Sequence, residues 1–211
     1  MEKESIVIGF AGGIGGGKST LAARIEKEFG EDATIIYMDH FRKYQPESIA
    51  EGMLIIPNAP DEFNIDLMVR CVSELKSGKD SPFPIYGFSS FSDEDRPWVT
   101  IKTKPIIILN GELLFAIPEI RDLIDIKVYV DIDADVRIMR RIHTQVAQNK
   151  LSLDDFIEQY ITDDKPAHDT YVEPSKKFAD IIIPEGAYNS IAREMLICML
   201  RERLRAYKAN D

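Results

Sequence analysis

Short apolar runs of strand length alternate along the chain with longer stretches in which apolar residues recur every three or four positions. The runs Ile6–Phe10, Thr34–Met38, Pro105–Leu109, Ile126–Val130 and Ile181–Ile183 read as buried strands. The stretches Ser19–Phe29, Ile65–Lys76, Ala134–Gln148, Leu153–Tyr160 and Ser190–Tyr207 read as amphipathic helices. This alternation predicts an α/β fold, a doubly wound, mostly parallel sheet with helices on both faces. Two stretches break it. Gln45–Asn64 carries Pro46, Pro57 and Pro60, and Pro82–Thr103 carries Phe83, Tyr86, Phe88 and Phe91 before Trp98. Both read as loops or small hairpins that supply ligand groups outside the carboxyl ends of strands.

Composition narrows the class. The 211 residues are 45% hydrophobic, enough for the core of one α/β domain. No apolar run approaches the length of a membrane span, and Met1–Ser5 leads straight into the first strand, so a cytoplasmic protein with no membrane partner is expected. With 26 basic against 36 acidic residues the net charge is −10, which argues against polymeric nucleic acid as a partner and leaves phosphate to be held by local basic groups. Cys71 and Cys198 lie in apolar helical patterns without Cys or His at metal spacing and are expected to be buried free thiols.

The strongest chemical signal follows the first strand. Gly12, Gly13, Ile14, Gly15, Gly16, Gly17, Lys18, Ser19 and Thr20 complete the pattern G-x-x-x-x-G-K-[ST] between an apolar run and a helical one. Glycines let the backbone N–H groups turn inward around a triphosphate. Lys18 is placed to reach the β- and γ-phosphates, Ser19 to hold Mg²⁺, and the helix that starts there offers its positive end to the anion. ATP with Mg²⁺ is the expected ligand. After the second strand, Asp39 puts a carboxylate where it accepts a substrate hydroxyl proton or holds metal. Arg137, Arg140 and Arg141 share a later helix, with 137 and 141 on one face, and such arginines clamp phosphoryl oxygens.

Further motifs appear in order: Asp39-His40-Phe41, Asn58-Ala59-Pro60-Asp61-Glu62-Phe63, Tyr86-Gly87-Phe88, Arg121-Asp122-Leu123, Val130 to Arg141, Gln159-Tyr160-Ile161-Thr162, Lys165-Pro166, and Glu173-Pro174-Ser175 to Pro184. With the phosphate loop they cover nearly the whole chain, which thereby resembles the uridine-cytidine kinases of the phosphoribulokinase/uridine kinase group. The resemblance implies a single P-loop kinase domain over residues 1–211, with a substrate-side hairpin around 82–103 and a lid around 137–165. It implies transfer of the ATP γ-phosphoryl group to a nucleoside 5′-hydroxyl with Mg²⁺, and assembly into a homo-oligomer. Lys18, Asp39 and Arg141 are then the catalytic residues, and Ser19 and Asp39 the metal contacts. Asn58, Tyr86, Phe88, Arg141 and Gln159 contact the nucleoside, the two aromatics by flanking the base.

Several positions depart from the family pattern. Asn110-Gly111 stands where an acidic residue usually precedes the glycine, with Glu112 two residues after Asn110. Asn58 and Gly87 stand in place of aspartates, Phe91 in place of a base-contacting histidine, and Glu185 in place of an arginine. Thr144–Leu151 replaces an arginine-rich segment and carries only Lys150 as a positive charge. Two other readings therefore share these residues: a kinase of the same scaffold for a different hydroxyl compound, and a nucleotide-binding regulatory module with little or no kinase activity.

Overall fold

The computed structural model describes residues 4–43, 59–85, 97–148 and 151–209. Strands β1 (Ile6–Ala11), β2 (Ala33–Tyr37), β5 (Ile106–Asn110), β6 (Ile126–Asp131) and β7 (Ile181–Pro184) form one sheet in the order β2-β5-β1-β6-β7. Every neighbouring pair is parallel. All five strands lie within a residue of the apolar runs that predict them. Strands β3 (Ser81–Pro84) and β4 (Trp98–Ile101) form a separate antiparallel pair within the second irregular stretch.

A parallel strand in the middle of such a sheet is covered on both sides, which is why its sequence is apolar throughout. Successive side chains still point to opposite faces, and the two cores sort accordingly. Val7, Ile107, Leu109 and Tyr129 join one core with Met68, Cys71, Val72 and Leu75 of α2 (Ile65–Lys76). Ile8, Phe10, Ile106, Ile108 and Val128 join the other with Leu21, Ala22 and Ile25 of α1 (Lys18–Phe29) and Leu196 and Leu200 of α5 (Ser190–Ala209). Each fully enclosed aliphatic side chain contributes about 1.5–3 kcal/mol.

The register aligns the carboxyl ends. Asn110 lies opposite Phe10 on one side and Tyr37 on the other. The phosphate loop after β1, the turn carrying Asp39 after β2 and the end of β5 therefore open on one edge, where ligands bind in open α/β sheets.

Three details differ from the sequence reading. The helix expected over Ala134–Gln148 is α-helical only as α3 (Ala134–Arg141) and widens into π-turns over Ile142–Gln148. Thr144 Oγ1 donates to the Arg140 carbonyl at 3.0 Å, taking the acceptor that a regular α-turn gives to the Thr144 N–H. After α4 (Leu153–Gln159) the chain stays helical through Phe178 instead of leaving the helix at Tyr160. Pro166 and Pro174 would break a regular helix, yet each sits in a short α-turn directly after a π-turn, Tyr160–Asp164 and His168–Val172 respectively. The wider turns make room for rings that clash in a regular helix. Finally, Cys71 is buried as expected but Cys198 is exposed. The helix face of Leu196 and Leu200 turns toward the sheet, and position 198 lies on the opposite face, near exposed Met195.

Candidate active site

The phosphate loop is held open by contacts that leave no room for larger residues. Gly12 has φ +132° and Gly17 φ +86°. A Cβ on Gly12 would stand 2.3 Å from the Val130 carbonyl oxygen. Helix α1 then begins at Lys18, with no side-chain cap and no acidic residue in its first turn. Its leading N–H groups and positive dipole end are left for an anion.

Lys18 is buried, and its Nζ donates to the Gly13 carbonyl at 3.0 Å and lies 3.8 Å from Glu112 Oε1. Burial pushes the Lys18 amine below its ordinary value, against the attraction of Glu112 and Asp39. Burial likewise pushes the Glu112 carboxyl up, against the attraction of Lys18. Ser19 Oγ accepts from Asn110 Nδ2 at 2.9 Å. Asn110 is buried at the end of β5, and its Oδ1 has no hydrogen-bond partner.

Asp39 lies in a 3₁₀ turn, Met38–Phe41, that follows β2, and its Oδ1 accepts from Arg42 Nε at 3.0 Å. Lys18, Ser19, Asp39, Asn110, Glu112 and Arg141 all line a cavity of about 580 Å³. It extends past the loop to Arg24, Ala187 and Tyr188 on one side and to Arg42 and Phe63 on another.

Helix α3 lies over the loop. Arg137 Nη1 donates to the Ile14 carbonyl at 3.4 Å, and Arg140 Nη1 to the Gly15 carbonyl at 3.3 Å. Arg141 instead pairs with Asp164 at 2.6 Å and donates to Gln145 Oε1 at 3.2 Å. The Arg141 and Asp164 side chains are only 7% and 8% exposed, and burial holds the Asp164 carboxyl above its ordinary value despite the arginine. Arg137 Nη2 also meets His168 Nε2 at 3.2 Å. A smaller cavity of about 280 Å³, lined by Ile14, Glu112, Arg137, Arg141, Asp164 and His168 among others, adjoins the first through Ile14, Glu112 and Arg141.

Of the residues singled out from the sequence, the phosphate-loop residues Lys18, Ser19 and Thr20 with Asp39 and Arg141 meet around one cavity. Gln159 is buried on α4 and is not among the residues lining either cavity. Asn58, Tyr86, Phe88, Gly87 and Phe91 lie outside the described residues. Sequence reasoning passed over Arg24, Ala187 and Tyr188, which belong to no motif singled out from the sequence, and quoted Phe63 in a motif without giving it a role. Gly186 is the residue beside them that the structure explains: it has φ +58°, and a Cβ there would stand 2.6 Å from the Gly16 carbonyl, so the turn after β7 packs on the loop.

A metal suits this donor set in one particular way. Among the described residues no group of three or more His, Cys, Asp or Glu side chains is placed to cage an ion. Mg²⁺ needs none, because it keeps waters and binds through substrate phosphates with one or two protein oxygens. Ser19 Oγ, the unpartnered Asn110 Oδ1 and the carboxylates of Asp39 and Glu112 supply such oxygens around the cavity.

Known proteins share both the sequence and the frame. A Clostridium perfringens protein named uridine kinase is 38% identical over 208 residues, spanning 98% of this chain and 100% of that protein. A Brevibacillus brevis uridine kinase is 40% identical over 193 residues, 90% of each chain. Among solved structures, a putative fructose transport system kinase from Silicibacter sp. TM1040 superposes with TM-score 0.63 at 21% identity, over 86% of this chain and 90% of that one. Phosphoribulokinase from Rhodobacter spheroides gives TM-score 0.62 at 15% identity, over 86% and 70%. At those identities the structures bear on the fold alone. The model of the phosphoribulokinase / uridine kinase family matches residues 7–192, so by its sequence, as well as by the loop and sheet that carry its site, this chain belongs to that family.

Proposed function

We propose that the chain is an ATP-dependent uridine kinase that moves the γ-phosphoryl group to the 5′-hydroxyl of a pyrimidine nucleoside. The observation that carries this is the single cavity lined by Lys18, Ser19, Asp39 and Arg141. The identity of 38–40% to proteins named uridine kinase, over nearly the whole chain, selects the acceptor class.

In this reading the Gly12–Thr20 loop and the N-terminus of α1 cradle the triphosphate, and Lys18 pairs with its terminal phosphates. Arg24, Ala187 and Tyr188 mark the end of the cavity that receives the nucleoside part of ATP. Asp39, at the other end, accepts the proton of the attacking hydroxyl. Ser19 and Asp39 hold Mg²⁺, which when bound neutralises charge on the phosphate oxygens. Arg137 and Arg140 already lie on the loop through its carbonyls, and Arg141 reaches the transferring group by exchanging Asp164 for phosphate oxygen. Residues 137–165 act as a lid that excludes water, and the segment 82–103 serves the acceptor side, with Asn58, Tyr86 and Phe88 as nucleoside contacts; Gln159, which lines neither cavity, is left out of that set. The whole chain works as one kinase domain, cytoplasmic and assembled with copies of itself. No helix among the described residues is long and apolar enough to cross a membrane.

The test is incubation of the purified protein with Mg²⁺-ATP and a panel of nucleosides and sugars, with phosphomonoesters read by mass spectrometry. Uridine and cytidine monophosphates are expected, and Asp39→Asn should lower the rate about a hundredfold or more. Phosphorylation of another compound alone would assign a different acceptor. ATP binding without any product would make the chain a nucleotide-binding module.

A further inference from the structure

Among the described residues the larger cavity is lined by two carboxylates, and they are placed differently. Asp39 is engaged by Arg42 and is 55% exposed. Glu112 is 22% exposed, lines both cavities and faces Lys18. The side chain that ends β5 is a neutral amide: Asn110 spends its Nδ2 on Ser19 and leaves Oδ1 without a partner.

Nucleotide entry changes the balance around Glu112. The phosphates take over Lys18, which is the cation Glu112 faces in the empty loop. A largely enclosed carboxylate then stands beside several negative phosphate oxygens with Lys18 engaged elsewhere and only the weaker pull of Arg42 left, an unfavourable arrangement in a desolvated site. A divalent cation bound to the phosphates removes the conflict, since it attracts both partners. Mg²⁺ accepts this kind of shell, with one or two carboxylates, phosphate oxygens and retained waters. Asn110 cannot take this role alone, as its amide brings an oxygen but no charge.

We propose that Glu112 is the anionic positioning group for the divalent cation that accompanies the nucleotide, while Asn110 anchors the Ser19 hydroxyl as a neutral partner. The inference rests on the phosphoryl-transfer reading above and adds a residue to it. It makes nucleotide affinity depend on the metal through residue 112 more than through residue 110.

The test is calorimetric binding of a non-hydrolysable ATP analogue in Mg²⁺ and in EDTA, with melting curves of each ligand-free variant. The native chain should bind more tightly with Mg²⁺. Glu112→Gln should bind as well or better in EDTA, because the repulsion is gone, and its gain from Mg²⁺ should shrink by roughly 10- to 100-fold. Asn110→Asp combined with Glu112→Gln should recover most of that gain, because a carboxylate returns to the neighbouring position. Glu112→Asp keeps the charge on a shorter stem and serves where the amide variant fails to fold; part of the gain should go, and an unchanged gain would overturn the proposal. So would a Glu112→Gln chain that keeps the full Mg²⁺ gain, or one weakened equally in both media, which would make Glu112 only a prop for Lys18. Absence of analogue binding by the native chain in either medium would instead overturn the nucleotide site itself, and this inference with it.

Discussion

Lys18 shows how a single side chain is prepared for its ligand. Its amine is buried against the Gly13 carbonyl and Glu112, so it is oriented and short of water before any phosphate arrives. Removing one partner of such a desolvated charge pair typically costs 2 kcal/mol or more, about thirtyfold in Kd. Lys18→Ala should therefore weaken ATP binding by at least roughly that factor in calorimetry. The loss is compounded because Glu112 then faces the phosphates without Lys18 between them. Unchanged affinity would place the nucleotide elsewhere. The motif that names Lys18 is legible in the sequence because the loop's requirements are local: glycines where φ is positive, then a lysine and a hydroxyl at the helix start. Glu112 gave no comparable signal. Its importance follows from β5 lying beside β1 in the sheet, which brings residue 112 to residue 18.

At the level of elements, the interesting joint is between α3 and the helical run that follows α4. Arg141 and Asp164 meet across it with almost no water, and Arg137 meets His168 one turn on. Breaking a buried ion pair by removing one partner typically costs 3–5 kcal/mol, because the survivor stays charged and unpaired. Asp164→Ala should lower stability in urea unfolding by an amount of about that size, and Arg141→Met in the same chain should restore much of it. Additive losses in the double variant would show that the pair does not couple the two elements. The helix periods of α3 and α4 are plain in the sequence. The continuation through Pro166 and Pro174 is not, because a proline marks a break unless the preceding turn widens, and that widening is sustained by packing of Val172 and Ser175 into the interior.

Across the whole molecule, stability and acidity are linked through the same joint. Burial, with Arg137 adding to it, holds His168 below its ordinary value of 6.5, against the opposing pull of Glu173 and Asp169. The unfolded chain therefore binds this proton first, so stability is present above pH 6.5 and is lost as the pH falls toward the folded value. The raised carboxyls of Glu112 and Asp164 act with the opposite sign, since the folded chain takes up their protons first. Comparison of variants separates the contributions: the urea midpoint of His168→Gln should fall less between pH 7 and pH 5 than that of the native chain. Equal falls would assign the acid sensitivity to other groups.

The sequence by itself determined the sheet, its main helices, the phosphate loop and the aspartate after β2. Each depends on contacts within a few residues or on a periodicity that burial imposes directly. The apolar runs of the three middle strands had to be covered on both sides, and glycine spacing at residues 12–17 had to form an anion-binding turn. Tertiary structure alone decided which residues face one another across that loop. Strand order sets Asn110 against Ser19 and Glu112 against Lys18, the turn after β7 brings Tyr188 to the cavity, and the proline-bearing helical run delivers Asp164 to Arg141. The three side-chain pairings join residues 23, 91 and 94 positions apart, for Arg141–Asp164, Ser19–Asn110 and Lys18–Glu112. No local preference encodes such meetings, since they arise only when two cores close on opposite faces of one sheet.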